Sequence, residues 1–557
     1  MAVAVLAAML GAAPAARAQQ APNHEQMETL RKEQRWGELA RALAAVRPRT
    51  AEMDFTYGLA LAHLGRWSEA TAALEGGRRL APREARFDVE LAGIAYRQKR
   101  NARAERLLRR ALRLDPRDAY ANDFLATLDY LDGNLEAALQ DWNRVGKPRI
   151  AALRNDPEPE VSAALLDHAF AFGPESTLLL PQFLATERRL RGLGIFPAYQ
   201  IDLAARKDGR FDAVFRAREL DGLGGGGWTD ALLMLRGIAF QEVNPGYWNL
   251  KRQAINFDSM LRWDAQKRRI YLAASGPLLH GARYRWESTT DLRDESWAIV
   301  PSFTGPVPLL AAFNMRTGRA GLGVVSYASG RVGWSAAAEV SHRDFHNVNA
   351  GSVLTPQMLA PGFELKQRAQ MDASVWRVPE HRFTVDAGAE EQSARLWSPA
   401  PESFAKFAGS LRWQWLPERK GDNYAMAQEV RAGRITGAAP FDELYILGLE
   451  RDNNLPMHAH IGTRDGRKGS APLGREYFLQ NWQLNRDVYS NGLMEVQIGP
   501  LLDMGRIADP GGGLGSHQWL FDTGAQLKLR VLGSGFGFSY GRDLRTGNNA
   551  FYVMLLE

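Results

Sequence analysis
The last hundred or so residues of this 557-residue chain alternate in twos. In Thr523–Arg530, Ala525, Leu527 and Leu529 fall on one side, and Gln526, Lys528 and Arg530 on the other. Phe536, Phe538 and Tyr540 oppose Gly537, Ser539 and Gly541, and Met494, Val496 and Ile498 oppose Glu495, Gln497 and Gly499. Successive side chains of a strand point to opposite faces, so each segment has one apolar face and one polar or small one. A strand between lipid and water needs that pattern, and only a closed sheet leaves no backbone edge unsatisfied in lipid.

The pattern extends upstream. Tyr199, Ile201 and Leu203 alternate with Gln200 and Asp202, and Phe211, Ala213 and Phe215 with Asp212, Val214 and Arg216. Val332, Trp334, Ala336 and Val340 alternate with Gly333, Ser335, Glu339 and Ser341, and Leu411, Trp413 and Trp415 flank Arg412 and Gln414. Turn clusters at Gly222–Gly227, Asn244-Pro245-Gly246 and Pro417–Asp422 separate such runs. At roughly 22 residues per strand and connection, residues 195–557 are expected to form an antiparallel transmembrane β-barrel of about 16 strands. A mean hydropathy of −0.32 fits, because half of each strand is polar. A soluble sandwich or propeller is the alternative, but nothing repeats at blade spacing.

The balance of 69 Lys+Arg against 63 Asp+Glu, without a basic block, points away from nucleic acid. With no cysteine, disulfides, thiol nucleophiles and Cys-based metal sites are excluded. Ala2–Ala13 is an apolar run followed by Pro14 and Ala16-Arg17-Ala18. That is the form of a signal peptide, residues 1–18, cleaved after Ala18. The mature chain is then expected outside the cytoplasm.

Residues 24–150 repeat at a shift of 34. Pro48, Pro82 and Pro116 recur at that interval, as do Gly58, Ala92 and Ala126, and Ala70, Ala104 and Ala138. This is the tetratricopeptide spacing, giving an all-α solenoid. Small residues let the two helices of a hairpin approach, here Gly58 with Ala70 and Ala92 with Ala104. Pro82 and Pro116 end one repeat because proline cannot extend the preceding helix. Leu74, Leu108 and Trp142 recur behind the small residues, and Gln26–Thr50 reads as a degenerate cap. Such arrays hold proteins or peptides. Residues 151–194 read as a helical connector resting against the barrel rim.

Four motifs then carry a resemblance. Phe441–Gly448 (FDELYILG), Ile461–Gly466 with Ala471-Pro472-Leu473-Gly474, Leu501–Gly505 (LLDMG) and Phe538–Gly541 (FSYG) stand in series over about 115 residues. In order and spacing they resemble the barrel of the outer-membrane assembly factor superfamily. That group includes the BamA and TamA types and the two-partner secretion transporters, and carries a bacterial surface antigen domain. The resemblance implies a long loop whose Arg-Gly-aromatic tip folds into the lumen and pairs with a strand Asp. Here the aligned tip reads Leu455-Pro456-Met457-His458-Ala459-His460, so the pairing role with Asp503 is expected to fall to Arg464, with Arg451 as alternative. The family's α/β POTRA modules are expected to be replaced by the helical repeats.

No catalytic, cofactor or metal site is expected. His458 and His460 near Asp452 have a conceivable ligand spacing but read as solvated. Gly222–Gly227 lacks a following Gly-Lys-Ser/Thr, and Ser275-Gly276 and Ser534-Gly535 lack a strand-turn-helix setting. Glu390 and Glu391 adjoin, and so should face opposite ways. The favoured reading is an outer-membrane barrel, not an enzyme, that assists assembly or translocation of a protein client. Its periplasmic repeats would dock the client or a lipoprotein partner, and no small-molecule substrate is expected. Alternatives are a passive polysaccharide-export pore, a surface lipoprotein translocator, and a barrel enzyme.

Overall fold
The computed structural model describes residues 24–224, 237–398, 402–418, 423–490, 494–509, 514–516, 518–531 and 534–556. The expected signal peptide, Gly225–Gly227 and residues 419–422 lie outside the described residues. The chain divides into two compact units, one ending at Leu131 and the other beginning at Asp132.

The first unit is helical: α1 (His24–Lys32), α2 (Trp36–Ala44), α3 (Ala51–His63), α4 (Trp67–Leu80), α5 (Ala85–Arg97), α6 (Asn101–Leu114) and α7 (Ala119–Leu131). α3 packs on α4 and α5 on α6. A Cβ built at Gly58 would lie 2.5 Å from Leu74 Cγ and 3.3 Å from the Ala70 carbonyl oxygen, so the helices touch there through the missing side chain. Ala70, Ala92, Ala104 and Ala126 are completely buried. Pro82 and Pro116 sit in the turns after α4 and α6. Repeat-related residues also bond: Arg86 donates to Glu52, 34 residues earlier, at 2.6 Å.

The second unit opens with α8 (Leu135–Trp142), which carries the buried Ala138. At its start Asn134 Nδ2 donates to the Pro379 carbonyl at 2.7 Å, and Glu136 pairs with Arg377. Then follow β1 (Ile150–Asn155), α9 (Ala163–Ala169), α10 (Leu180–Leu193), β2 (Ala198–Ala205) and β3 (Phe211–Arg218). These strands form their own sheet in the order β1-β3-β2, with β1 parallel and β2 antiparallel to β3. Buried Phe215 meets Phe170 and Phe196 edge-on at 5.6 and 5.4 Å.

Two expectations are corrected here. Residues 198–218 are not barrel strands, and residues 150–218 are a β-α-α-β-β module rather than a helical connector. An α/β element is therefore present beside the helical repeats rather than replaced by them. Period two marks a strand but not the sheet it joins, and β2 and β3 each bury one face as a barrel strand does.

The barrel begins at β4 (Glu242–Val243) and β5 (Gly246–Leu250), which share one register against β6 (Ile255–Trp263) and act as one interrupted strand. It continues through β7 (Lys267–Pro277), β8 (Tyr284–Ile299), β9 (Ala311–Ser326), β10 (Val332–His346), β11 (Gly362–Val378), β12 (Phe383–Trp397), β13 (Glu402–Trp415) and β14 (Tyr424–Gly437). After a long loop holding the short β15 (Tyr445–Ile446), β16 (Thr463–Arg464), β17 (Arg467–Lys468) and β18 (Leu473–Gly474), it ends with β19 (Glu476–Ser490), β20 (Met494–Ala508), β21 (Leu520–Val531), β22 (Ser534–Asp543) and β23 (Asn549–Leu556). The ladder from β6 through β14 to β19 and on to β23 is antiparallel throughout, and the sheet closes. Among the described residues it has fifteen strands.

The expected alternation holds. Gln526 and Lys528 of β21 reach inward to Gln483 of β19 at 3.0 and 3.1 Å, while Leu527 between them is exposed on the outer face. Glu390 pairs with Arg368 at 2.9 Å, and Glu391 points the other way. Trp376, Phe383 and Trp413 form a chain of ring contacts near one end of β11, β12 and β13, and Trp413 reaches over β14 to Trp482 of β19, as an interfacial girdle does. No described helix is long and apolar enough to cross a membrane.

Replacing Gly58 by Leu overfills the α3–α4 contact and is expected to cost about 1–3 kcal/mol. Hydrogen exchange of the full chain should then speed up in α3 and α4; unchanged protection would contradict the packing. On α10, burial, with Glu136 nearby, raises the Glu187 pKa from 4.5 to about 7. The folded chain then keeps a proton that the unfolded chain releases, so stability falls as pH rises from about 4.5 to 7 and levels off above. Glu187→Gln is expected to remove that slope, stabilising the protein at pH 8 by about 1–2 kcal/mol after allowance for solvent screening. Melts at pH 4 and pH 8 check this, and an unchanged slope would contradict it.

Candidate functional site
The segment between β14 and β19, residues 438–475, supplies the counter-charges for a lumen full of ionic side chains. At one end Phe441 packs edge-on against Trp297 and Phe313, each at 4.9 Å. Asp442 pairs with Arg319 of β9 at 2.9 Å and with Arg343 of β10 at 2.8 Å. Glu443 takes Lys366 of β11 at 2.6 Å and Lys406 of β13 at 3.2 Å. Arg343, only 1% exposed, also holds Glu364 at 2.6 Å. A buried charge without a partner costs several kcal/mol, so these residues fix the loop as much as the loop fixes them.

Further along, Glu450 accepts from Lys267 of β7 at 3.2 Å and from Thr463 Oγ1 at 2.5 Å. Asp452 receives Arg262 of β6 at 2.9 Å and Arg269 of β7 at 2.6 Å, with Arg293 of β8 and Lys468 at 3.9 Å. Asp452 has φ of +67°, a left-handed turn that Asp tolerates better than most residues. Its carboxylate is thereby ringed by cations.

The tip crosses to the far wall. Asn481 of β19 donates to the Pro456 carbonyl at 3.0 Å, and Met457 fills the space left by Gly505, whose added Cβ would sit 2.7 Å from its sulfur. His458 gives its backbone N–H to Asp503 Oδ2 at 2.9 Å, and its Nδ1 lies 2.6 Å from the same oxygen. Ala459 N donates to Asp522 at 2.7 Å, and His460 Nδ1 is 3.1 Å from that carboxylate. His460 Nε2 lies 4.0 Å from Asp543. At Gly541 any Cβ would strike the His458 carbonyl, so the loop rests directly on that strand. Asp503 and Asp522 are both fully buried, and the tip gives each a backbone donor and an imidazole.

These contacts correct the expected latch. Arg464 reaches the Ser302 carbonyl at 3.4 Å and Asp465 at 3.8 Å; Arg451 reaches the Phe240 carbonyl at 3.1 Å and Asp264 at 3.7 Å. Neither meets Asp503, which is held by His458 of the tip and by Asn481 of β19, whose Nδ2 donates to Asp503 Oδ1 at 2.7 Å. The histidines are not solvated loop residues: both sit against strand carboxylates. The Asp was legible because its motif was; the partner was not, since the tip offers imidazoles where the resemblance implies an arginine. Asp442, Glu443 and Asp452, which anchor the loop most heavily, carry no local sequence signal of that role. Their cationic partners lie on the inward faces of several strands, at spacings no local pattern connects.

Among the described residues no group of three or more His, Asp or Glu is arranged to hold a metal. Ser275 Oγ accepts from Arg285 at 3.0 Å. One segment thus touches strands on opposite walls, from β6 to β13 and from β19 to β22, as only the inside of a closed barrel allows.

His458→Ala is expected to lower stability by about 1–3 kcal/mol, because Asp503 loses a donor in a buried setting. Arg464→Ala should change it by less than about 0.5 kcal/mol. Denaturant unfolding in detergent compares the two, and equal losses would count against the histidine as anchor.

No protein-family model and no curated protein matches the chain. Among solved structures it is similar to BamA from Haemophilus ducreyi lacking POTRA domains 1–3, at 10% identity and a TM-score of 0.41 over 73% of this chain and 85% of that one. It is similar to CdiB from Escherichia coli at 13% identity and 0.46, over 74% and 76%. CdiB from Acinetobacter baumannii gives 10% and 0.44, over 73% of each chain. With all three TM-scores below 0.5, the barrel assignment rests on the closed strand ladder and on the loop seated inside it.

Proposed function
We propose that this chain is an outer-membrane protein of the BamA/TamA-like assembly-factor superfamily that assists assembly or translocation of a protein client. The barrel lies in the membrane and the N-terminal helices lie in the periplasm, where the repeat array docks the client or a lipoprotein partner. The observation that carries the reading is the loop held across the lumen by Asp442, Glu443, Glu450, Asp452, His458 and His460. A passive export pore works with an open, hydrated passage. A lumen crossed by a seated segment suits instead a route that opens only when a client displaces or bypasses the loop.

Planar-bilayer recording tests this. The unaltered chain is expected to conduct weakly, and Asp452→Ala combined with His458→Ala to raise the mean conductance severalfold by freeing both ends of the tip. A large, steady conductance in the unaltered protein would favour the open pore and sink the gated route.

A further inference from the structure
Away from the loop, the barrel's β7–β8 turn faces the β-α-α-β-β module across a crevice of about 740 Å³. Arg189 of α10 lines it and is only 7% exposed. Its guanidinium touches two backbone carbonyls, of His168 and Ala328, each at a long 3.4 Å, and its Nε has no partner. Among the described residues it meets no carboxylate. Burial, and then the charge of nearby Arg283, pushes the Arg189 pKa down. Arg283 lines the same crevice, is exposed, and its guanidinium forms no ion pair or hydrogen bond among the described residues. Asp167, exposed at α9, is the one acidic residue in the described lining.

Elsewhere in this unit most buried cations are matched by carboxylates, Arg262 by Glu242 and Asp452, Arg343 by Glu364 and Asp442 and Lys468 by Glu295, whereas Arg285 is held by the Ala254 carbonyl and Ser275 Oγ, each at 3.0 Å. Arg189 likewise has no carboxylate, and its carbonyl contacts are longer than those of Arg285; an uncompensated buried charge is costly. A guanidinium pair suits a phosphate, which can accept bidentate hydrogen bonds from each. The crevice also has an oily side. Leu279, 88% exposed, is held outward by a turn in which it and His280 have φ of +55° and +58°, and Tyr284 begins β8 beside it. An aromatic at the end of a barrel strand marks the bilayer interface, where headgroup phosphates and the first acyl carbons lie.

We propose that this crevice binds the phosphate of an anionic phospholipid, with Arg189 and Arg283 holding the headgroup and Leu279 and Tyr284 contacting the acyl chains. The lipid assignment rests on the membrane reading above; the anion site rests on the arginines. Short-chain dihexanoyl phosphatidylglycerol, dihexanoyl phosphatidylcholine and inorganic phosphate are titrated into the full chain in neutral detergent. Phosphatidylglycerol should bind saturably, about tenfold tighter than either of the others, a gap of roughly 1.4 kcal/mol. Arg283→Gln, an exposed change compatible with folding, should weaken it about tenfold, and Leu279→Ser should weaken the lipid but not phosphate. Arg189→Gln should abolish binding if it folds; the Arg283 and Leu279 variants decide the matter if it does not. Equal binding of the two lipids, phosphate binding as tight as phosphatidylglycerol, or indifference to Arg283→Gln would each overturn the proposal. A chain that inserts into vesicles yet binds no phosphatidylglycerol overturns the site alone. One that never inserts overturns the membrane reading with it.

Discussion
Charge buried inside a barrel must find a partner within the barrel. Arg262, Arg343, Lys267, Lys366 and Lys468 project from strands into a lumen where each is less than a tenth exposed, or sit on the loop that fills it. Carboxylates on the strands match some of this charge, as Glu364 does for Arg343. Much of the rest is matched by the loop after β14, through Asp442, Glu443, Glu450 and Asp452. Loop and wall are therefore one electrostatic system. Removing either leaves buried charge unpaired, which is why a segment without long regular strands holds a definite position.

The polarity of this arrangement differs from the resemblance that the motifs suggest. There a loop arginine pairs with a strand aspartate. Here the strands contribute the guanidiniums, Arg262 and Arg269, and the loop contributes the aspartate, Asp452. At the strand aspartate, Asp503, an imidazole stands where an arginine was expected. The glycines of the same motifs have a clear steric task. Gly505 leaves room for Met457 and Gly541 for the His458 backbone, so the tip lies flat on the wall and its N–H groups reach Asp503 and Asp522.

The β-α-α-β-β module and α8 dock on the barrel through polar contacts: Asn134 to the Pro379 carbonyl, Asn256 Nδ2 to the Leu193 carbonyl at 2.9 Å, and Arg188 to Asp372 at 2.6 Å. Gly192 meets the face of the Tyr327 ring and Gly330 the backbone of α10, so close helix–turn packing backs those bonds. This seam also leaves Arg189 buried without a carboxylate. The crevice beside it is thus a product of how module and barrel fit, not of either alone.

The order of residues determined the helical hairpins and the strands, because both follow from local periodicity. Gly58 with Ala70 and the 34-residue spacing are enough for the first; the alternation through Thr523–Arg530 is enough for the second. It also marked Asp503, Gly505 and Gly541, since they stand in a recognisable series. Which sheet a strand joins was decided only in three dimensions, and so β2 and β3 read as barrel strands although they pair with β1. The partner of Asp503 was decided there too, as were the cations around Asp452. Pairing between inward faces of distant strands depends on barrel closure and register, and a local pattern fixes neither. Alternation tells a side chain to face inward; only the closed cross-section tells it what it will meet.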